Sequence, residues 1–178
     1  MKTKLTNNSV APWKSLRKSP VEMKKDMLRA LEDFVSADES TLNIVIKKTG
    51  NGFGLVTTHA FKRGDWLVAY IGDRIDKEEA KEREKKYISE CHDNCYMFYF
   101  TAKGKEMCID TTHDNGRLGR LLNHSKKKPN CKANIMMCGD FPQIIMVAIM
   151  DIKENSELLF DYGDRSKESV KSFPWLAE

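Results

Sequence analysis

The residues able to do chemistry in this chain gather in short stretches far apart in sequence. Gly50-Asn51-Gly52-Phe53-Gly54 alternates glycine with larger residues between β-prone runs. Such a backbone reaches φ > 0 and can approach a ligand closely. No helix-forming segment follows, so a phosphate seat at a helix N-terminus fits poorly, and a glycine-rich hairpin turn is the plain alternative. Asn123-His124-Ser125 formally matches a glycosylation acceptor, but without a secretory signal that use is not expected; a structural hydrogen-bonding role is the simpler reading. In Leu159-Phe160-Asp161-Tyr162-Gly163-Asp164 an aromatic pair near a chain end would usually be core. Tyr162 stands out because a phenol in apolar surroundings keeps a polar tip that needs a partner. Cys91, His92 and Cys95 hint at a metal, yet zinc normally wants four well-placed ligands and no second cluster is evident. The expectation is therefore no metal, with Cys91, Cys95, Cys108, Cys131 and Cys138 as reduced structural thiols.

Elements must position these groups. Ser19-Pro20-Val21-Glu22 has the form of a capping box with proline at the first helical position. Met27, Leu28, Leu31, Phe34 and Val35 follow at helical spacing, predicting a helix that packs on the body or stands free as an arm. From Leu42 the pattern turns β-like: 44–46, 54–56, 66–71, 96–100, 107–110, 132–137 and 144–148 read as strands, with turns at 49–52 and 62–65. Residues 76–88 are charged throughout, with Asp76 and Glu79 placed as a capping box, and predict a largely exposed helix. The fold class is α+β and β-rich, built of many short strands.

The 178 residues suit one compact domain with a terminal extension. Hydrophobic content of 40% and charged content of 31% describe a globular chain without a membrane partner. No apolar run approaches the ~20 residues that span a bilayer. With no signal-type apolar stretch in residues 1–18, a cytosolic or nuclear protein is expected. The net charge of +4 permits a nucleic-acid surface without requiring one. Positive charge is dense in residues 14–25 and at Lys126-Lys127-Lys128, where solvated faces are the plain reading.

Taken in order, GNGFG, Gly64-Asp65 leading to Tyr70-Ile71-Gly72-Asp73, Cys95-Tyr96-Met97, RLLNHS and ELLFDYGD resemble a SET domain across residues 44–164. The flanks narrow the resemblance. Cys95-Tyr96-Met97-Phe98-Tyr99-Phe100, Asn115 with Arg117-Leu118-Gly119-Arg120, Tyr162-Gly163-Asp164-Arg165-Ser166-Lys167 and Pro174-Trp175-Leu176 are similar to the histone H4 lysine-20 methyltransferases. The resemblance implies several small sheets with a knot-like C-terminal segment, flanked by an N-terminal helix and a short C-terminal segment. The implied division is a basic extension over 1–41, a SET domain over 42–164, and a flank over 165–178 that completes the cofactor site.

It further implies transfer of methyl from S-adenosyl-L-methionine to a lysine of the histone H4 tail in nucleosomes, by a monomeric, chromatin-associated nuclear enzyme. Asn51, Gly52, Phe53, Tyr96, Asn123, His124 and Trp175 would bind cofactor; Tyr70, Tyr96, Phe160 and Tyr162 would line the lysine channel, with Tyr162 catalytic. Phe53 departs from the subfamily, where a basic side chain usually stands. Phe160 stands where the subfamily normally has tyrosine, so a second methyl transfer is expected. Arg17, Lys18, Lys24, Lys25 and Arg29 are candidates for nucleosomal DNA or acidic histone surface, and Asp73, Asp110, Asp114 and Asp161 for the basic histone tail. The alternatives are another histone or non-histone lysine, or a chromatin-binding module without catalysis.

Overall fold

The computed structural model describes residues 18–50, 52–90 and 96–163. Asn51, Trp175, Arg17 and the Cys91/His92/Cys95 group thus lie outside the described residues. Helix α1 (Pro20–Ser36) starts as its sequence demands: Glu22 N–H donates to Ser19 Oγ at 3.2 Å, and Ser19 N–H donates to the Glu22 carboxylate at 2.8 Å. Its inward face is Leu31, Phe34 and Val35, packed on Trp66, Ala69, Ile145 and Val147. Met27, expected on that face, is 53% exposed, because the packed stripe lies nearer the helix C-terminus. Nor is α1 a free arm. The Arg117 guanidinium donates to Val35 O at 2.9 Å and pairs with Glu39 at 3.2 Å, while Glu39 also accepts Leu118 N–H at 2.7 Å.

Strands β1 (Ile44–Thr49) and β2 (Gly52–Thr57) form an antiparallel hairpin. Strands β3 (Trp66–Tyr70) and β4 (Asp73–Asp76) lead into helix α2 (Lys77–Ser89), followed by β5 (Met97–Ala102) and β6 (Lys105–Asp110). A 3-10 turn at Leu118–Leu121 precedes β7 (Asn123–His124); then come β8 (Cys131–Cys138), β9 (Phe141–Ala148) and β10 (Leu159–Phe160). The sheets are β1-β2, β3-β9-β8, β4-β6-β5 and the parallel pair β10-β7. In the middle of its sheet β9 is covered on both faces from Ile144 onward, which is why Ile144, Ile145 and Met146 are 0% exposed and residues 144–148 read as an unbroken apolar run. The main core joins Leu55, Leu67, Val68, Ile109, Leu122, Ile144, Met146, Leu158 and Phe160 from all four sheets.

Helix α2 begins with Asp76 accepting Glu79 N–H at 2.8 Å and is largely exposed, as its charges predict, but one side of it is tied down. Ala80 and Tyr87 are buried, and Arg83 reaches Asp73 (3.0 Å), Glu79 (2.7 Å) and Asp110 (3.1 Å). Asp110, at the end of β6, is 5% exposed and accepts from Tyr87 Oη at 2.7 Å and Thr112 N at 2.9 Å. Burial alone would raise its pKa; the Thr112 amide, the Tyr87 hydroxyl and the Arg83 guanidinium outweigh that and hold it below the ordinary carboxylate value. At Gly72 a Cβ would collide with the Asp110 carbonyl, so the β3–β4 turn lies directly on the strand end that carries this carboxylate.

Replacing Asp110 by Ala strands a buried phenol, an amide and part of a guanidinium, at a cost of about 3 kcal/mol. The urea midpoint is expected to fall with unchanged slope. A lowered folded-state pKa means that the carboxylate stabilises the fold above its unfolded value of 3.8. That contribution is lost as pH falls through the folded pKa, so the gap between wild type and Asp110→Ala should close in acid.

Candidate active site

The parallel pair β7–β10 brings the two dispersed motifs together: Asn123 lies opposite Leu159 and His124 opposite Phe160. Ser125 N–H donates to Phe160 O at 3.1 Å, and Tyr162 N–H donates to His124 Nδ1 at 3.1 Å. The Tyr162 hydroxyl donates to Leu122 O at 2.6 Å. Asn130 completes the splint, donating to Glu157 O at 2.7 Å and accepting Leu159 N–H at 2.9 Å.

The glycine turn joins the same assembly through one side chain. Asn123 Nδ2 lies 3.2 Å from Thr49 Oγ1, 3.3 Å from Phe53 O and 2.8 Å from Glu157 Oε1. Only glycine suits position 54 beneath it, because a Cβ there would come within 2.6 Å of Glu157 Oε1 and 2.7 Å of Asn123 Nδ2. Gly52 opens β2 at φ +99°, and the Phe53 side chain is 66% exposed.

An aromatic row lines the junction. The Tyr70 and Phe98 ring centroids are 5.3 Å apart, Phe98 and Phe160 6.2 Å, Phe160 and Tyr162 4.7 Å, and Tyr162 and His124 5.0 Å. Tyr96 lies under the Arg120 guanidinium, 4.5 Å from its ring centroid. Although Tyr162 is 40% exposed overall, its hydroxyl end is turned inward onto Leu122 O. Burial there raises its pKa, and the nearby phenols of Tyr70 and Tyr96 push it the same way. Burial likewise pushes Tyr70 up to about 12.

A SET-domain family model matches residues 52–163, the span that holds the hairpin, the aromatic row and the β7–β10 pair. The chain belongs to the SET-domain family. It is 39% identical over 163 residues to the N-lysine methyltransferase KMT5A of Xenopus tropicalis, covering 92% of this chain and 48% of that protein. It is 41% identical over 164 residues to the histone-lysine N-methyltransferase Set8 of Drosophila melanogaster, covering 92% of this chain and 24% of that protein. The chain thus spans about half or less of these two relatives. The crystal structure of CpSET8 from Cryptosporidium superposes with a TM-score of 0.69 at 33% identity, over 87% of this chain and 71% of that one.

Within this SET domain the structure gathers Tyr70, Tyr96, Phe160, Tyr162, Asn123, His124, Gly52 and Phe53 around one junction. Phe98, Thr111, Arg120, Asn130 and Glu157 belong there too; Phe98, Arg120 and Glu157 stand in the quoted motifs without a site role, and Thr111 and Asn130 were not singled out. Phe98 also carried a local signal, in the aromatic run 96–100. Among the acidic candidates, Asp110 is committed to internal contacts and Asp73 pairs with Arg83. Asp114 pairs with Arg120 at 3.0 Å, and Asp161 accepts Gly163 N–H at 2.9 Å. A separate cleft of about 770 Å³ opens between the β5–β6 and β8–β9 turns, lined in part by Arg74, Met107, Met137 and Phe141, and shares no residue with the aromatic row.

Because burial raises the pKa of Tyr70 and Tyr162, absorbance titration of tyrosinate in alkali should separate them from ordinary tyrosine. The signal lost in Tyr70→Phe is expected near pH 12, above the ordinary value of 10.0. A raised acid pKa stabilises the fold below pH 10 and that contribution fades as pH climbs toward 12.

Proposed function

We propose that this SET domain is an S-adenosyl-L-methionine-dependent protein-lysine N-methyltransferase, acting on lysine-20 of the histone H4 tail in nuclear chromatin. One observation carries the reading: buried neutral phenols and phenylalanine rings converge beside the Asn123–His124 strand and the glycine turn. The histone site rests on the flanking resemblance and on the relatives' names.

The residues fit the cofactor in chemical type. Aromatic faces and neutral hydroxyls suit a sulfonium, since a cation is attracted to ring faces and no ionised tyrosine competes for protons. Gly52, Phe53, Tyr96, Asn123 and His124 would hold it, with Asn51 and Trp175 from outside the described residues. When bound, S-adenosyl-L-methionine supplies an electrophilic methyl group on sulfur.

The chain's own residues do the rest. A free lysine has a pKa of ~10.4, so at neutral pH almost none carries a lone pair. Tyr70, Phe98, Phe160 and Tyr162 strip water from its ε-amine and so disfavour the ammonium. The proton would leave to solvent, freeing the amine lone pair for the methyl group that the bound cofactor would supply, with sulfur keeping the electrons of the C–S bond. Tyr162, with its proton held by Leu122 O, presents its oxygen to the reacting atoms and orients the amine. Phe160 adds ring surface but no hydroxyl, which leaves room for a methylated amine to turn back into an attacking pose; the enzyme adds a second methyl. The exposed cations of α1 (Lys24, Lys25 and Arg29) are positioned for nucleosomal phosphate or acidic histone surface, while Lys18 is paired with Asp26 at 2.5 Å.

The test is intact-mass analysis of nucleosomes incubated with protein and cofactor, followed by mapping of the modified site. Mono- and dimethylated lysine-20 on histone H4 is the expected product. Cofactor binding with methyl on another lysine would reassign the substrate, and no cofactor binding would favour a chromatin-binding module. Tyr162→Phe is expected to cut turnover by ~10²-fold or more while cofactor still binds. Phe160→Tyr is expected to stop the reaction at monomethyl-lysine.

A further inference from the structure

Tyr70 is 6% exposed, and its hydroxyl meets one hydrogen-bond partner among the described residues, Thr111 Oγ1 at 3.2 Å. Thr111 is 2% exposed, and the same Oγ1 lies 3.1 Å from the Tyr96 carbonyl oxygen. That carbonyl already takes Thr111 N–H at 2.8 Å, which fills one of its two lone pairs. A carbonyl cannot donate, whereas either hydroxyl can do both. Thr111 Oγ1 lies within donating distance of both Tyr70 Oη and Tyr96 O but has one proton for the two. Giving that proton to Tyr96 O lets Tyr70 donate to Thr111 Oγ1, so that each buried proton has an acceptor. The loop that carries Thr111 is pinned on both flanks. Asp110 accepts Thr112 N–H at 2.9 Å on one side, and Tyr96 N–H donates to Thr112 Oγ1 at 3.1 Å on the other.

We propose that Thr111 is a positioning residue that holds the Tyr70 proton away from the lysine channel, so that Tyr70 faces the substrate amine only as a hydrogen-bond acceptor. This rests on the reading of Tyr70 as a channel residue. Its consequence is chemical. A neutral amine has one lone pair, and a phenol proton pointed at it would occupy the electrons that must attack the methyl carbon. With that proton tied back to Thr111, the Tyr70 oxygen instead accepts an amine N–H and turns the lone pair toward the cofactor. Tyr162 follows the same rule, since its proton is directed to Leu122 O. Both phenols thus turn oxygen, rather than hydrogen, toward the nucleophile.

Thr111→Val keeps the shape of the side chain and removes the acceptor, freeing the Tyr70 hydroxyl to rotate into the channel. With a histone H4 peptide as substrate, kcat should fall about tenfold while the dissociation constant of S-adenosyl-L-methionine stays unchanged, the size expected for one misdirected hydrogen bond. Thr111→Ser, which restores the hydroxyl, should recover kcat to within about twofold. In a Tyr70→Phe background the Thr111→Val change should have no further effect, because there is no phenol proton left to direct. If the valine variant does not fold, as judged by far-UV circular dichroism, Thr111→Ala carries the same comparison. Wild-type kcat in a folded variant lacking the Thr111 hydroxyl, or an undiminished loss in the Tyr70→Phe background, would overturn the proposal. Wild-type kcat in Tyr70→Phe alone would show instead that Tyr70 does not line the channel.

Discussion

The parallel pairing of Asn123–His124 with Leu159–Phe160 is the contact on which the rest of this molecule depends. It is tiny, and such a pair would not hold in water on its own. It persists because both partners are anchored elsewhere: Leu122 and Leu158 are buried in the main core, and Asn130 ties Glu157 and Leu159 to the loop before β8. With that register set, Tyr162 lies against His124, Phe160 against Phe98, and Asn123 reaches the glycine turn. A one-residue slip would exchange the buried and exposed members of each short strand and dismantle all three contacts.

A second constraint is the direction of the buried hydroxyl protons. Tyr70 and Tyr162 are neutral at physiological pH, desolvation moving their ionisation further into alkali, and a neutral phenol can either donate or accept. Which it does toward a ligand is decided by where its own proton is already engaged. Leu122 O takes the Tyr162 proton, and in the arrangement proposed above Thr111 Oγ1 does the same for Tyr70. Reactive geometry therefore reaches well beyond the ring surfaces, through the loop at 110–112, to the Arg83–Asp110–Tyr87 cluster under α2. A helix that looks like a solvated cover is joined through these contacts to the aromatic row.

Helix α1 was legible because its start is encoded in four consecutive residues, and β9 because a strand covered on both faces must be apolar throughout. The inward face of α2 was not, since Arg83 and Tyr87 look like ordinary members of a charged helix until Asp110 is seen beneath them. Strands β7 and β10 leave no local signal at all; two residues show no periodicity, and a parallel pair need not be near in sequence. The motif residues around them were readable through resemblance, in order along the chain. Thr111 was not, because a threonine beside a strand end carries no mark of what it touches; Arg120 was legible as a motif residue, but not its place over the Tyr96 ring.

The most direct test is a crystal structure of the protein with S-adenosylhomocysteine and a lysine-bearing H4 peptide. The account predicts the lysine ε-amine between the Tyr70 and Tyr162 oxygens, facing the cofactor sulfur, with the cofactor along Gly52, Phe53, Asn123 and His124. A lysine docked outside the aromatic row, or a cofactor seated away from the β7–β10 pair, would contradict it.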